Sequence, residues 1–221
     1  MKQPIKVTYK YTSSAYEANQ WLHSLPDVIT CDFEAAVKYS KEQIEEWKQQ
    51  LENENLPKLE RKRLESLISA TALDHPSHVK ITHLQIGISE TEAYVFILDN
   101  KKITDLVLTF LITTKKKQVW HNASYDFRLI YYFTGKFPIN YEDTALFAKC
   151  ILNHVDTQQA KVGLKQLAGS QYGAWAISPD NFTLEQMYDE KVLLYAATDA
   201  CATMWVWNKL NAYIKEQNTC S

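Results

Sequence analysis

The 221-residue sequence has no strong excess of positive charge: 24 Lys and Arg stand against 26 Asp and Glu, for a net charge of −2. This argues against a passive, high-affinity coat on nucleic acid. It leaves a nucleic-acid substrate open, because an acidic metal site carries negative charge that bound cations neutralise. Cysteine pairs at C-x-x-C spacing are missing. Cys31, Cys150, Cys201 and Cys220 stand alone, with no His at zinc-finger spacing. Reduced core thiols and a reducing, intracellular compartment, cytoplasmic or nucleoid-associated, are the expectation. The first residues lack the apolar run of a signal peptide, and no stretch approaches the roughly 20 apolar residues of a membrane span, so no membrane partner is expected. A nucleophile elbow, a P-loop and G-x-G-x-x-G are all lacking, and the six His are scattered. Ser-His-Asp catalysis therefore has no local support. There are no internal repeats and no low-complexity tract.

What is present is an ordinary globular balance, 46% hydrophobic and 23% charged, enough for one core and a single domain over 1–221. Lys6 to Tyr11 alternates weakly as a short strand, and Ser14 can cap a helix through Ala18 and Trp21. Val28 to Phe33 reads as a buried strand. With Ile81–Ser89 and Ala93–Leu98 it can form an antiparallel meander. A helix over Ile103–Ile112, a strand at Gln118–Trp120, a helix from Asn122 to Gly135, helices after Asp143 and Gly163, a loop over Gly173–Asp180 and a long last helix opened by Thr183 or Asp189 complete the order. A mixed sheet flanked by helices, α/β, fits this order. Between the first two meander strands, residues 40–76 are crowded with nearly balanced charge. Ile44, Trp47 and Leu51 share one helical face and Leu64, Leu67 and Ile68 another, with Pro57 between them. This predicts an inserted, solvated helical hairpin.

Three acidic clusters carry the chemistry. Asp32 and Glu34 are two apart, so on a strand they leave the same face, at the end of an apolar run where unpaired carboxylates are costly. Asn122 and Asp126 are four apart on one helical face; spacing alone favours an N-cap and a dipole-matched acid, and Asp126 can serve the dipole and still face a metal site. Tyr195 and Asp199 are also four apart, on a helix apolar nearly all round, so an ionised Asp199 needs a partner. Carboxylates at three points on a framework can hold two divalent metals about 3.5–4 Å apart, the clamp of a phosphoryl displacement.

These segments resemble the DEDD superfamily of 3′–5′ exonucleases, in the branch with Tyr in its third motif. The likeness is greatest to the proofreading exonuclease domain of family-A DNA polymerases. It rests on CDFE at Cys31–Glu34, HNASYD at His121–Asp126 and YAATDACAT at Tyr195–Thr203, with YEDTALFAKCILN at Tyr141–Asn153 and GLKQLA at Gly163–Ala168 between them. LQIGIS at Leu84–Ser89 fits this branch and the RNase D-like branch alike. The resemblance spans the chain except the arm at about 40–76. It departs at Ala35 and Ala36, where the family usually has Thr or Ser soon after the acidic pair.

The resemblance implies a ribonuclease H-like fold and two-metal hydrolysis with Mg²⁺ or Mn²⁺. Asp32 would bridge the metals, Glu34 and Asp199 complete the first site, and Asp126 hold the second. Tyr195 with Glu34 would orient the attacking water. Nucleoside 5′-monophosphates would leave the 3′ end of DNA, single-stranded or frayed, in proofreading or DNA processing, with a polymerase as a possible partner in trans. Phe33, Asn122, Tyr125 and Trp175 are the candidate substrate contacts, weighed against plain core packing. The alternatives are RNase D-like trimming of RNA 3′ ends and a catalytically silent module that binds nucleic acid or a polymerase.

Overall fold

The computed structural model describes residues 3–39, 41–69, 76–155, 161–173, 175 and 183–219. Six strands form one mixed sheet in the order β1-β4-β3-β2-β5-β6: β1 Thr8–Thr12, β2 Val28–Val37, β3 Val79–Gly87, β4 Glu92–Ile97, β5 Lys117–Trp120 and β6 Tyr141–Asp143. β2, β3 and β4 make the antiparallel meander expected from their alternation. β1, β5 and β6 add parallel neighbours at either side.

Alternation decides what each face of the sheet carries. Ile29, Cys31 and Phe33 of β2 join Leu84 and Ile86 of β3 and Phe96 of β4 in one core. Over that face pack α1 (Ala15–Ser24), α4 (Lys101–Thr113) and α5 (Ser124–Thr134), through Ala18, Leu22, Ile103, Val107, Leu129 and Ile130. The opposite face carries Ala93, Val95 and Ile97, covered by α7 (Leu164–Tyr172) and α8 (Glu190–Thr219) through Leu164, Ala168, Leu193, Ala197 and Ala200. α6 (Thr144–Val155) follows β6, and Asp143 caps it by accepting from the backbone N–H groups of Ala145 and Leu146.

α8 lies close to the sheet because small residues meet there. Thr30 Oγ1 donates to the Ala200 carbonyl at 2.7 Å. A Cβ on Gly87 would lie 2.3 Å from Thr30 Oγ1 and 2.8 Å from the Ala200 oxygen. Glycine is required at that crossing. Trp207 Nε1 donates to Glu142 Oε2, which ties the far half of α8 to β6, and Glu142 also pairs with Lys117 of β5.

The inserted hairpin is α2 (Lys41–Leu51) and α3 (Lys58–Ser69), packed on each other between β2 and β3. Arg61 closes it, donating to the Leu51 carbonyl at 2.8 Å and the Asn53 carbonyl at 2.9 Å, and Leu64 is buried. The last residues of the expected arm, 70–75, lie outside the described residues, as do Cys220 and most of the expected loop over Gly173–Asp180.

Several boundaries differ from expectation. β2 does not stop at Phe33; it pairs with β3 as far as Val37↔Val79, with a bulge between Glu34 and Ala35. The acidic pair therefore sits within the strand and not at its end. β6 has only three residues, too few to show alternation, and is added by pairing with β5. Asn122 is not the cap of α5. It adopts a left-handed backbone (φ 59°), the helix starts at Ser124, and the Asp143 carboxylate accepts from the backbone N–H of Asn122 and Ala123. The last long helix opens after Asp189, whose Oδ1 accepts from Lys191 N–H, while Thr183 heads a separate short turn. Of the cysteines, Cys31 and Cys201 are buried free thiols, but Cys150 is exposed, so it is not the core residue expected. No helix among the described residues is long and apolar enough to cross a membrane.

Gly87→Ala will lift α8 from the sheet and lower stability by about 1–3 kcal/mol, the usual cost of overpacking. Chemical denaturation checks this; unchanged stability would mean that the crossing is not tight.

Candidate active site

The face that α8 covers is also where the even-numbered residues of β2 emerge. Asp32 and Glu34 point to it, and α8 brings Asp199 down beside them. One carboxylate oxygen from each of Asp32, Glu34 and Asp199 lies within 4.8 Å of the others. Gln85, opposite Asp32 on β3, bridges the pair: its Nε2 donates to Asp32 Oδ2 at 2.7 Å and to Glu34 Oε1 at 3.2 Å. Asp126, buried in the first turn of α5, accepts at Oδ1 from the backbone N–H of Phe33 at 3.1 Å. It reaches the same strand from its edge, near enough for its charge to act on Asp32.

Charge of one sign is thus concentrated where water is scarce. Desolvation, then the charges of Asp126, Glu34 and Asp199, raise the Asp32 carboxyl well above its ordinary range. Desolvation first, and Asp199 next, push Glu34 up to about 8. Burial pushes Asp126 up to about 7 against the pull of its backbone hydrogen bonds. The Tyr195 phenol is also raised, by burial and then by the charge of Asp199, so it holds its proton at neutral pH.

Among the described residues, one ammonium meets this cluster. Lys165, in the first turn of α7, donates to both Asp199 oxygens at 2.8 Å and to the Tyr195 hydroxyl at 2.9 Å. Trp175 Nε1 donates to Asp199 Oδ1 as well. A cavity of about 400 Å³ opens in front, lined by Asp32, Asp199, His121, Asn122, Lys149 and Lys165 among others. His121 Nδ1 and Thr144 Oγ1 are hydrogen-bonded at 2.8 Å, and burial lowers the His121 pKa.

The expected site residues divide accordingly. Asp32, Glu34 and Asp199 meet, Tyr195 flanks them, and Asp126 stands one step behind. Asn122 is exposed at the cavity rim, off the helix that was to put it on one face with Asp126. Phe33 is not available for stacking on a base. Alternation turns it to the other face of the sheet, where it is 5% exposed and packs near Trp120 with ring centroids 6.0 Å apart. Tyr125 is half-buried against that same core, beneath Arg128. Trp175 is drawn into the carboxylates through its indole N–H. Sequence reasoning gave no role to Gln85, Lys165 or His121. Gln85 had a readable signal, since it shares the parity of the α8-facing residues on its strand. Lys165 had none beyond its place in GLKQLA.

An all-oxygen donor set of clustered carboxylates, held by a fixed amide, fits a hard divalent cation. No protein-family profile and no curated protein sequence matches the chain. Solved structures do. NrnC of Brucella melitensis, determined with bound Mg²⁺, is 15% identical over 98% of this chain and 84% of its own, with a TM-score of 0.56. The catalytic core of RRP6 from Trypanosoma brucei is 12% identical over 98% of this chain and 51% of its own, at 0.65. Trypanosoma brucei RNase D in complex with RNA U12 is 16% identical over 93% of this chain and 63% of its own, at 0.61. At these identities the likeness is one of fold. The chain spans about half the length of the RRP6 chain.

The raised carboxyls predict the stability of the metal-free protein. Each binds protons more tightly folded than unfolded, so its contribution is complete below the ordinary carboxylate range and is lost as pH rises through the folded values. In chelator, the melting temperature will fall between about pH 4.5 and about pH 8, the window set by Asp126 and Glu34. Glu34→Gln will flatten the upper part of that fall. Stability that is level or rising across the window contradicts the charge assignment.

Proposed function

We propose that the protein is a divalent-metal-dependent 3′–5′ exonuclease that trims RNA, releasing nucleoside 5′-monophosphates. The observation that carries this reading is the meeting of Asp32, Glu34 and Asp199, from a strand and a distant helix, within 4.8 Å of one another, with Asp32 and Asp199 lining an open cavity. The Tyr-x-x-x-Asp pairing of Tyr195 and Asp199 supports the tyrosine-carrying branch of the DEDD superfamily. The sequence alone led to DNA as substrate. RNA is favoured here because structures sharing this fold are RNase D, with RNA U12, and NrnC, with pGG. Trimming of RNA therefore replaces polymerase proofreading as the first reading.

Asp32, Glu34 and Asp199 would hold the cations, with Asp126 completing the set behind Asp32. Bound there, Mg²⁺ or Mn²⁺ would supply Lewis-acid activation of the attacking water and neutralise charge on the phosphate and the leaving oxygen. The chain's own part is positioning. Gln85 fixes the angle between Asp32 and Glu34, and Asp143 fixes the loop carrying Asn122 at the mouth of the cavity. Tyr195, protonated at neutral pH, can hold a water with its hydroxyl and keep it in line with the terminal phosphodiester. Attack forms a new P–O bond, the bond from phosphorus to the 3′ oxygen of the preceding residue breaks, and that oxygen takes up a proton. No covalent intermediate with the protein is needed, so catalysis rests on placement and charge.

The test is 5′-labelled single-stranded RNA and DNA with Mg²⁺, Mn²⁺ or chelator. A ladder shortening from the 3′ end of RNA, only with metal, is expected. Faster loss of DNA would restore the DNA reading, and no degradation of either would overturn the function. Asp32→Asn and Asp199→Asn will each lower the rate on the order of 10²–10³-fold, the scale of losing several kcal/mol of charge stabilisation, with the fold intact by circular dichroism. Tyr195→Phe will slow the reaction without ending it. Full activity in either Asn variant contradicts the site.

A further inference from the structure

Lys165 contacts the site, yet the proposed chemistry does not use it. Its ammonium is not a loose surface group near an acid. It addresses both oxygens of Asp199 at 2.8 Å and the Tyr195 hydroxyl at 2.9 Å, and it lies 4.5 Å from the centre of the Tyr195 ring and 5.4 Å from that of Trp175. Asp199 beneath it has only 8% of its side chain exposed, whereas Lys165 keeps 40% and borders the cavity. Buried carboxylates require a cation. Here an internal one sits on the oxygens that a divalent ion would take, and like charge a few ångströms apart sets the two in competition.

We propose that Lys165 is a built-in counter-ion of the carboxylate cluster, which holds Asp199 and Tyr195 in place while the site lacks metal and which a divalent ion must displace to reach Asp199. This rests on the metal-site reading above. Its place on the short helix α7 allows the exchange, since a lysine stem has four rotatable carbons and needs no backbone movement. Displaced, the ammonium stays at the wall of a cavity that Lys149 also lines, suited to an anionic substrate. Lys165 is thus a positioning residue whose presence weakens metal binding while it preserves the geometry that metal binding needs.

Calorimetric titration with Mn²⁺, without nucleic acid, separates the possibilities. Lys165→Met will bind Mn²⁺ about tenfold more tightly than the parent chain, the scale of removing one unit charge a few ångströms away. Lys165→Arg, which keeps the charge, will stay near the parent value. Asp32→Asn reports whether the heat comes from this site. Equal or weaker binding by Lys165→Met overturns the proposal alone; absence of Asp32-dependent binding in every form overturns the metal-site reading and the proposal with it. A second readout needs no variant. In the parent chain, acylation of Lys165 by an amine-reactive ester, followed by peptide mass spectrometry, will speed up severalfold when Mn²⁺ is added. An unchanged rate contradicts displacement.

Discussion

Mutual repulsion among desolvated carboxylates is the constraint around which the site is built. Asp32, Glu34 and Asp199 converge beneath α8, and burial first and neighbouring negative charge next raise the Asp32 and Glu34 carboxyls above their ordinary range. The fold answers it with rigid supports. A central strand presents two acids on one face, Gln85 spans them, and the Thr30–Gly87–Ala200 crossing clamps α8 at the register that lowers Asp199 into reach. Such a site is pre-organised for cations, because the cost of bringing the acids together has been met by folding and not by the ligand.

The two faces of the sheet divide the labour. The face under α1, α4 and α5 is plain core, and it absorbs Phe33, Cys31 and Trp120. The face under α7 and α8 is core at one end and chemistry at the other, with Ala93, Val95 and Ile97 giving way to Gln85, Asp32 and Glu34. Small side chains on α8, Ala196, Ala197 and Ala200, allow close approach without crowding the acids. The inserted hairpin α2–α3 is bound into itself by Arg61 and lengthens one connection of the meander without altering its pairing.

Much of this was legible in the sequence because it follows from period. Two-residue spacing placed Asp32 and Glu34 on one face, four-residue spacing placed Tyr195 and Asp199 on one helical side, and apolar runs marked the meander. What was not legible depends on long-range partners. β2 extends past Phe33 because β3 pairs with it, not because its own residues demand it. Asn122 looks like a helix cap, yet Asp143, 21 residues later, takes the backbone donors and leaves it left-handed. Phe33 and Tyr125 carry the composition of a base-stacking pair, but burial behind the sheet is set by the helices that cover it. Lys165 is invisible in any local pattern, since its meaning comes only from a helix 34 residues away.

A crystal grown with Mn²⁺, with anomalous scattering recorded at the manganese edge, tests the central claim most directly. The account predicts an anomalous peak between β2 and α8 with oxygens of Asp32, Glu34 and Asp199 at about 2.0–2.6 Å, the range of hard-cation ligation. A map without a peak there, with the three carboxylates turned apart, would contradict it.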